Sequence, residues 1–141
     1  MKQTKEVRKK LLRNNGLSVT PTRLSILELF AGGCDPLNAE QIARKLSRQR
    51  IDLVTVYRTL EAFEKKAILR KVDLRQGSNF YEFADSHHHH IVCTSCDKIE
   101  EFENKEVEML IQKAAAKSSK FKIIDQHALE LFGICTSCAR K

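Results

Sequence analysis

The chain has 141 residues, 25 Lys+Arg against 18 Asp+Glu for a net charge of +7, five Cys, five His, two Pro and no Trp. That length suits one domain or two small ones, and 42% hydrophobic with 30% charged residues excludes a disordered or fibrous chain. No apolar run approaches the ~18 residues of a membrane span, and the polar start Met1-Lys2-Gln3-Thr4-Lys5-Glu6 lacks the apolar core of a secretory signal, so a cytoplasmic protein with no membrane partner is expected.

The charge is unevenly placed. Residues 1–86 carry 17 Lys/Arg and 10 Asp/Glu, whereas residues 87–141 carry eight of each. The whole net charge therefore lies in the first part, and all five His and four of the five Cys lie in the second. A basic segment joined to a neutral one rich in soft ligands suggests a polyanion-binding module coupled to a metal module; a solvated basic surface without a partner is the plainer alternative.

In chain order, residues 4–15 place Val7, Leu11 and Leu12 at helical spacing, and Gly16 stops that helix. Thr20 before Pro21 reads as an N-cap and first helical residue, opening a helix through Leu24, Leu27 and Phe30 to Gly32-Gly33. Asn38 with Gln41 forms a capping box for a short helix carrying Ile42 and Leu46. Asp52 caps a fourth helix whose apolar side is Val56, Leu60 and Phe63, which leaves Thr55, Tyr57, Arg58 and Thr59 around its first turns. Residues 69–74 and 79–83 are strand-like and flank the turn Gln76-Gly77-Ser78.

Short helices followed by a hairpin are the parts of a winged helix, in which the early residues of the recognition helix reach base edges. Arg58 suits paired hydrogen bonds to guanine, and Tyr57 suits packing on a thymine methyl or bonding a phosphate. Arg23, Lys65, Lys66, Lys71 and Arg75 are candidate phosphate contacts. The alternative is that Tyr57 only packs and the basic residues are solvated.

Two Cys-x-x-Cys knuckles, Cys93-Thr-Ser-Cys96 and Cys135-Thr-Ser-Cys138, flank residues 97–134. Their four thiolates form a closed tetrahedral set for a structural Zn2+, and the long spacing means that the site joins the beginning and end of a small domain. A redox dithiol or a zinc-release switch is the rival reading. Cys34 stands apart and reads as an ordinary thiol.

Before the first knuckle lies His87-His88-His89-His90. On a strand His88 and His90 share one face and His87 and His89 the other, so the two pairs can serve different metals. Glu101 shares a strand face with Ile99 and is expected inward; with Glu82, His88 and His90 it makes one mixed nitrogen and oxygen set. His87, His89, Glu108 and His127 make a second, with His127 read in a strand-like segment beside Leu129 and Leu131, where an ordinary core histidine is the alternative. Glu108 borders the apolar stripe Val107, Leu110, Ile111 and Ala114 of a helix. Imidazole with carboxylate suits Fe2+, Mn2+, Co2+ or Zn2+.

Together, Gly16-Leu-Ser-Val-Thr-Pro-Thr-Arg23, Asp52-Leu-Val-Thr-Val-Tyr-Arg-Thr-Leu60, His87-His-His-His-Ile-Val-Cys93 with Cys96, and Leu131-Phe-Gly-Ile-Cys135 with Cys138 resemble the ferric uptake regulator family of bacterial metal-sensing repressors. The resemblance covers essentially the whole chain. It implies an α+β protein: a winged-helix DNA-binding domain at 1–83, a hinge at 84–86, and a small α/β metal-binding dimerisation domain at 87–141. It implies a homodimer on a palindromic operator in double-stranded DNA, closed by metal, and no catalytic residues. The family's structural zinc falls on Cys93, Cys96, Cys135 and Cys138, its regulatory site on Glu82, His88, His90 and Glu101, and its additional site on His87, His89, Glu108 and His127. Its DNA contacts fall on Tyr57 and Arg58, with Thr55 and Arg23.

Two positions depart from the family pattern. Many members supply a further regulatory His from the loop before the third helix, where this chain has Cys34-Asp35-Pro36; Asp35 or Cys34 replaces it, or the site is four-coordinate. Many also carry a minor-groove Lys where this chain has Ser18. The purely nitrogen and oxygen donor sets favour Fe2+ as the regulatory ion, with Mn2+ or Zn2+ as alternatives. Zinc-uptake and peroxide-sensing regulators are the neighbouring subclasses, although the latter usually carry Asp where this chain has Glu101. A metalloenzyme using the His/Glu site and a zinc-stabilised protein-binding adaptor are the readings from other classes.

Overall fold

A computed structural model describes residues 3–33, 35–85 and 87–141. Cys34, one proposed stand-in for the loop His, lies outside the described residues. The chain divides into two compact units, Met1–Ser86 and His87–Lys141.

In the first unit, α1 (Lys5–Asn14) starts where the Thr4 hydroxyl accepts the Val7 N–H. Just past its end, Gly16 takes a φ of 70° that lets the Leu17 N–H close onto the Leu12 carbonyl at 2.9 Å. The helix α2 (Pro21–Ala31) is capped by Thr20, with Pro21 in the first turn as expected. Residues Leu37–Asn38 form β1, and α3 (Ala39–Lys45) follows with both halves of the Asn38/Gln41 capping box, at 2.8 and 2.9 Å. Asp52 caps α4 (Leu53–Lys65) through the Thr55 N–H at 2.6 Å.

Val56, Leu60 and Phe63 form the buried side of α4. They pack with Leu12, Ile26, Leu27, Phe30, Ile42, Leu69 and Tyr81 in one core. This packing leaves Leu53, Val54, Tyr57 and Arg58 of α4 exposed. The wing consists of β2 (Leu69–Val72) and β3 (Phe80–Phe83), antiparallel, with β1 on the other edge of β3 in the order β1-β3-β2. The expected strand 69–74 stops at Val72 because the chain turns there, with the Asp73 carboxylate accepting the Arg75 N–H at 2.9 Å. The two-residue β1, held by Leu37↔Tyr81 and Asn38↔Phe80, is too short to show alternation in sequence.

In the second unit, β4 (His89–Cys93) is central, antiparallel to β5 (Ile99–Phe102) and parallel to β6 (Glu130–Gly133). Between β5 and β6 runs α5 (Lys105–Ala116), capped by Asn104, and a short helix α6 (Thr136–Ala139) follows β6. The apolar stripe of α5 forms but buries no residue: Leu110 is 65% exposed and Met109 53%. His127 lies in irregular chain, not in a strand, because pairing with β4 begins only at His90↔Glu130.

Phe63 is fully buried at the centre of the first unit. Phe63→Ala is expected to cost about 3–5 kcal/mol in urea denaturation, whereas exposed Lys66→Ala stays within about 0.5 kcal/mol.

Candidate metal centres and nucleic-acid interface

The two knuckles meet because β6 pairs with β4. Cys93 ends β4 opposite Gly133 on β6, and the Thr94 N–H donates to the Gly133 carbonyl at 2.8 Å, which delivers Cys135 and Cys138 beside Cys93 and Cys96. All four Sγ atoms lie within 4.8 Å of one another, and Cys96 Sγ is 3.8 Å from Cys135 Sγ. A tetrahedron with zinc–sulfur bonds of about 2.3 Å has edges of about 3.8 Å, so this donor set fits zinc. Backbone N–H groups favour the thiolate at two of the four, Cys93 and Cys135. The Cys135 N–H donates to Cys93 Sγ at 3.3 Å, and with the Cys96 N–H it lowers the Cys93 thiol to about 6. The Cys138 N–H likewise lowers Cys135.

The nitrogen and oxygen donors gather separately. His89 Nε2 touches Glu108 Oε1, His127 Nε2 lies 3.2 Å from Glu108 Oε2, and the ligand atoms of these three residues fall within 4.8 Å. The hydrogen bond from His89 holds the Glu108 carboxyl below its usual range, with the charge of His127 adding to it. His87 is exposed and stands outside this group, because β4 begins only at His89.

On the opposite face of β4, the His88 and His90 rings meet edge to face at 4.9 Å, and His88 Nε2 is 3.6 Å from Glu101 Oε1. Glu101 is exposed, contrary to the inward orientation expected from its sharing a face with Ile99: β5 is an edge strand, and Glu101 pairs with His90 on β4. Glu130, which the sequence reading missed, pairs with His90 from the other side and places Oε1 3.9 Å from its Nδ1. The signal was available, since Glu130 alternates with the apolar Leu129 and Leu131. In the first unit Glu82 is buried on β3, and Arg70, its cross-strand partner on β2, donates to Glu82 Oε1 from Nε at 2.8 Å. Asp35 is exposed.

The exposed first turns of α4 present Tyr57 and Arg58, and Thr55 is half-buried with its carbonyl accepting the Thr59 hydroxyl at 2.8 Å. The Tyr57 hydroxyl donates to Glu40 Oε1 at 2.8 Å. Arg23 Nη1 donates to the Ser18 carbonyl and hydroxyl at 2.8 and 2.7 Å. Lys65 and Lys71 each have a carboxylate partner, Glu61 at 3.4 Å and Glu64 at 3.3 Å.

A model of the ferric uptake regulator family matches residues 14–132. The chain belongs to this family. It is 38% identical over 134 residues to the ferric uptake regulation protein of Neisseria meningitidis serogroup A, covering 92% of each chain. Among solved structures, that of the ferric uptake regulator from Francisella tularensis with iron superposes with a TM-score of 0.73 at 34% identity, over 88% of this chain and 96% of that one. The Helicobacter pylori regulator, whose structure reveals three functional metal binding sites, superposes with a TM-score of 0.82 at 27% identity, over 98% of this chain and 95% of that one. The winged-helix and dimerisation domains of the family are the architecture described above.

Cys96→Ser is expected to abolish retention of the tightly held zinc and to lower the melting temperature, read by metal analysis after desalting and by thermal denaturation. His127→Ala should retain that zinc. Equal zinc loss in both variants would contradict the separation of sulfur donors from nitrogen and oxygen donors.

Proposed function

We propose that this chain is a cytoplasmic, metal-responsive transcription repressor that holds one structural Zn2+ and binds a palindromic operator as a homodimer when Fe2+ occupies its regulatory site. The observation that carries this reading is the sorting of donors by softness: four sulfurs in one cluster, and imidazole nitrogens with carboxylate oxygens elsewhere. Thiolates retain zinc, whereas the harder set suits Fe2+ or Mn2+. A relative solved with iron and another with three functional metal binding sites support a chain with several metal sites, one of them for iron.

On this reading Glu82, His88, His90 and Glu101 hold the regulatory ion, His89, Glu108 and His127 an additional one, and Tyr57, Arg58, Thr55 and Arg23 face DNA. Glu82 belongs to the first unit and the other three regulatory ligands to the second. An ion bound by all four therefore favours the conformers that bring those ligands together, and differential affinity for those conformers shifts the population toward DNA binding. The uncovered apolar side chains of the second unit, among them Leu110, Phe121, Ile123 and Leu131, support a second copy as their cover. No helix among the described residues is long and apolar enough to cross a membrane.

His90→Ala is expected to keep its zinc and its far-UV circular dichroism while losing the Fe2+-stimulated rise in fluorescence anisotropy on operator DNA, which wild type shows. A variant that responds fully to Fe2+ contradicts the regulatory assignment.

A further inference from the structure

A carboxylate stands beside the exposed first turns of α4, the face proposed above to meet DNA. Glu40 is the second residue of α3, exposed, and its Oε1 accepts the Tyr57 hydroxyl proton at 2.8 Å. Its position is built in. The Asn38/Gln41 capping box fixes the first turn of α3, Asn38 Nδ2 donates to Ser78 Oγ of the wing loop at 3.1 Å, and α3 packs along α4.

A carboxylate on such a surface repels phosphates and weakens binding to every sequence alike. A tyrosine hydroxyl has a single proton to donate. While that proton is committed to Glu40, Tyr57 cannot donate to a phosphate oxygen, which is a contact blind to sequence. It retains its ring, 45% of the residue being exposed, and its oxygen lone pairs. Those suit a thymine methyl and the amino donor of adenine or cytosine, both base-edge features in the major groove.

We propose that Glu40 is a specificity-determining positioning residue that turns Tyr57 from a phosphate donor into a base-edge reader and so suppresses binding to non-operator DNA. This rests on the DNA-binding reading of Tyr57 given above. The shift of the Tyr57 phenol agrees with the geometry: its hydrogen bond to Glu40 raises it above its usual value near 10.

The test uses full-length, zinc- and Mn2+-loaded protein, the duplex that wild type enriches from a random pool, and a scrambled duplex of equal composition. Glu40→Ala is expected to bind the scrambled duplex several-fold more tightly and to lower the selected-to-scrambled affinity ratio about tenfold. Glu40→Gln, which removes the charge but keeps an acceptor for the hydroxyl, should recover a large part of that ratio. In a Tyr57→Phe background Glu40→Ala should change both affinities by the same factor and leave the ratio unaltered. With only two tyrosines in the chain, the Tyr57 phenol is readily titrated by NMR, and Glu40→Ala should lower its pKa.

A ratio within twofold of wild type for Glu40→Ala overturns the inference. So does an equal loss in the Tyr57→Phe background, or a phenol pKa that does not move. If wild type enriches no duplex, the regulator reading itself fails, and this inference with it.

Discussion

Parallel pairing of β6 with β4 is the constraint on which residues 87–141 depend. Two parallel strands require a long crossover, and here it runs from Thr94 to Leu129, enclosing β5 and α5. Closing such a loop costs conformational entropy, and little apolar burial offsets it: the buried described residues of this unit are His89, His90, Val92 and Cys93. The sulfur cluster sits where that closure occurs. Structural zinc in small domains contributes ~10–16 kcal/mol of apparent binding free energy, enough to compensate for the thin core. The ion that folds a domain is poorly suited to signal by coming and going. On the proposed reading, reversible sensing falls to the histidines and carboxylates, although both sets share strand β4.

The first unit is built differently. Its core is continuous from Leu12 to Tyr81, and the starts of α1, α2, α3 and α4 are each fixed by a side-chain cap, so α4 is presented without help from a metal. What a regulatory ion changes is then population rather than fold. If metal tightens DNA binding by a given factor, DNA must tighten metal binding by the same factor, and couplings of this kind are typically about 1–3 kcal/mol. That range corresponds to about 5–150-fold in affinity, a useful span for a switch whose two units are each folded beforehand.

Local chemistry made much of this readable in advance. Thr20-Pro21, Asn38 with Gln41, and Asp52 each carry their function within four residues, and each forms the expected cap. The knuckles announced their chemistry by composition, since four cysteines at that spacing serve few purposes besides zinc. What stayed hidden depends on pairing between distant segments. The strand Leu37–Asn38 exists only because β3 offers an edge, His127 lies outside β6 because of where β4 begins, and Glu101 is exposed because β5 lies at the margin of its sheet. Glu40 beside Tyr57 is hidden for the same reason, because nothing local marks a carboxylate that acts 17 residues away, whereas the alternation of Glu130 with Leu129 and Leu131 marks its face of the strand but not its partner His90.

If a soft site supports the fold while a harder site governs DNA binding, the decisive measurement separates the metals. Zinc-loaded protein is titrated anaerobically with Fe2+, Mn2+ or Zn2+ against a fluorescent palindromic duplex from the protein's own promoter, following anisotropy. Binding that appears with Fe2+ or Mn2+, at concentrations where added Zn2+ has no effect, is the predicted result. A response to Zn2+ alone, or binding indifferent to every metal, would contradict it.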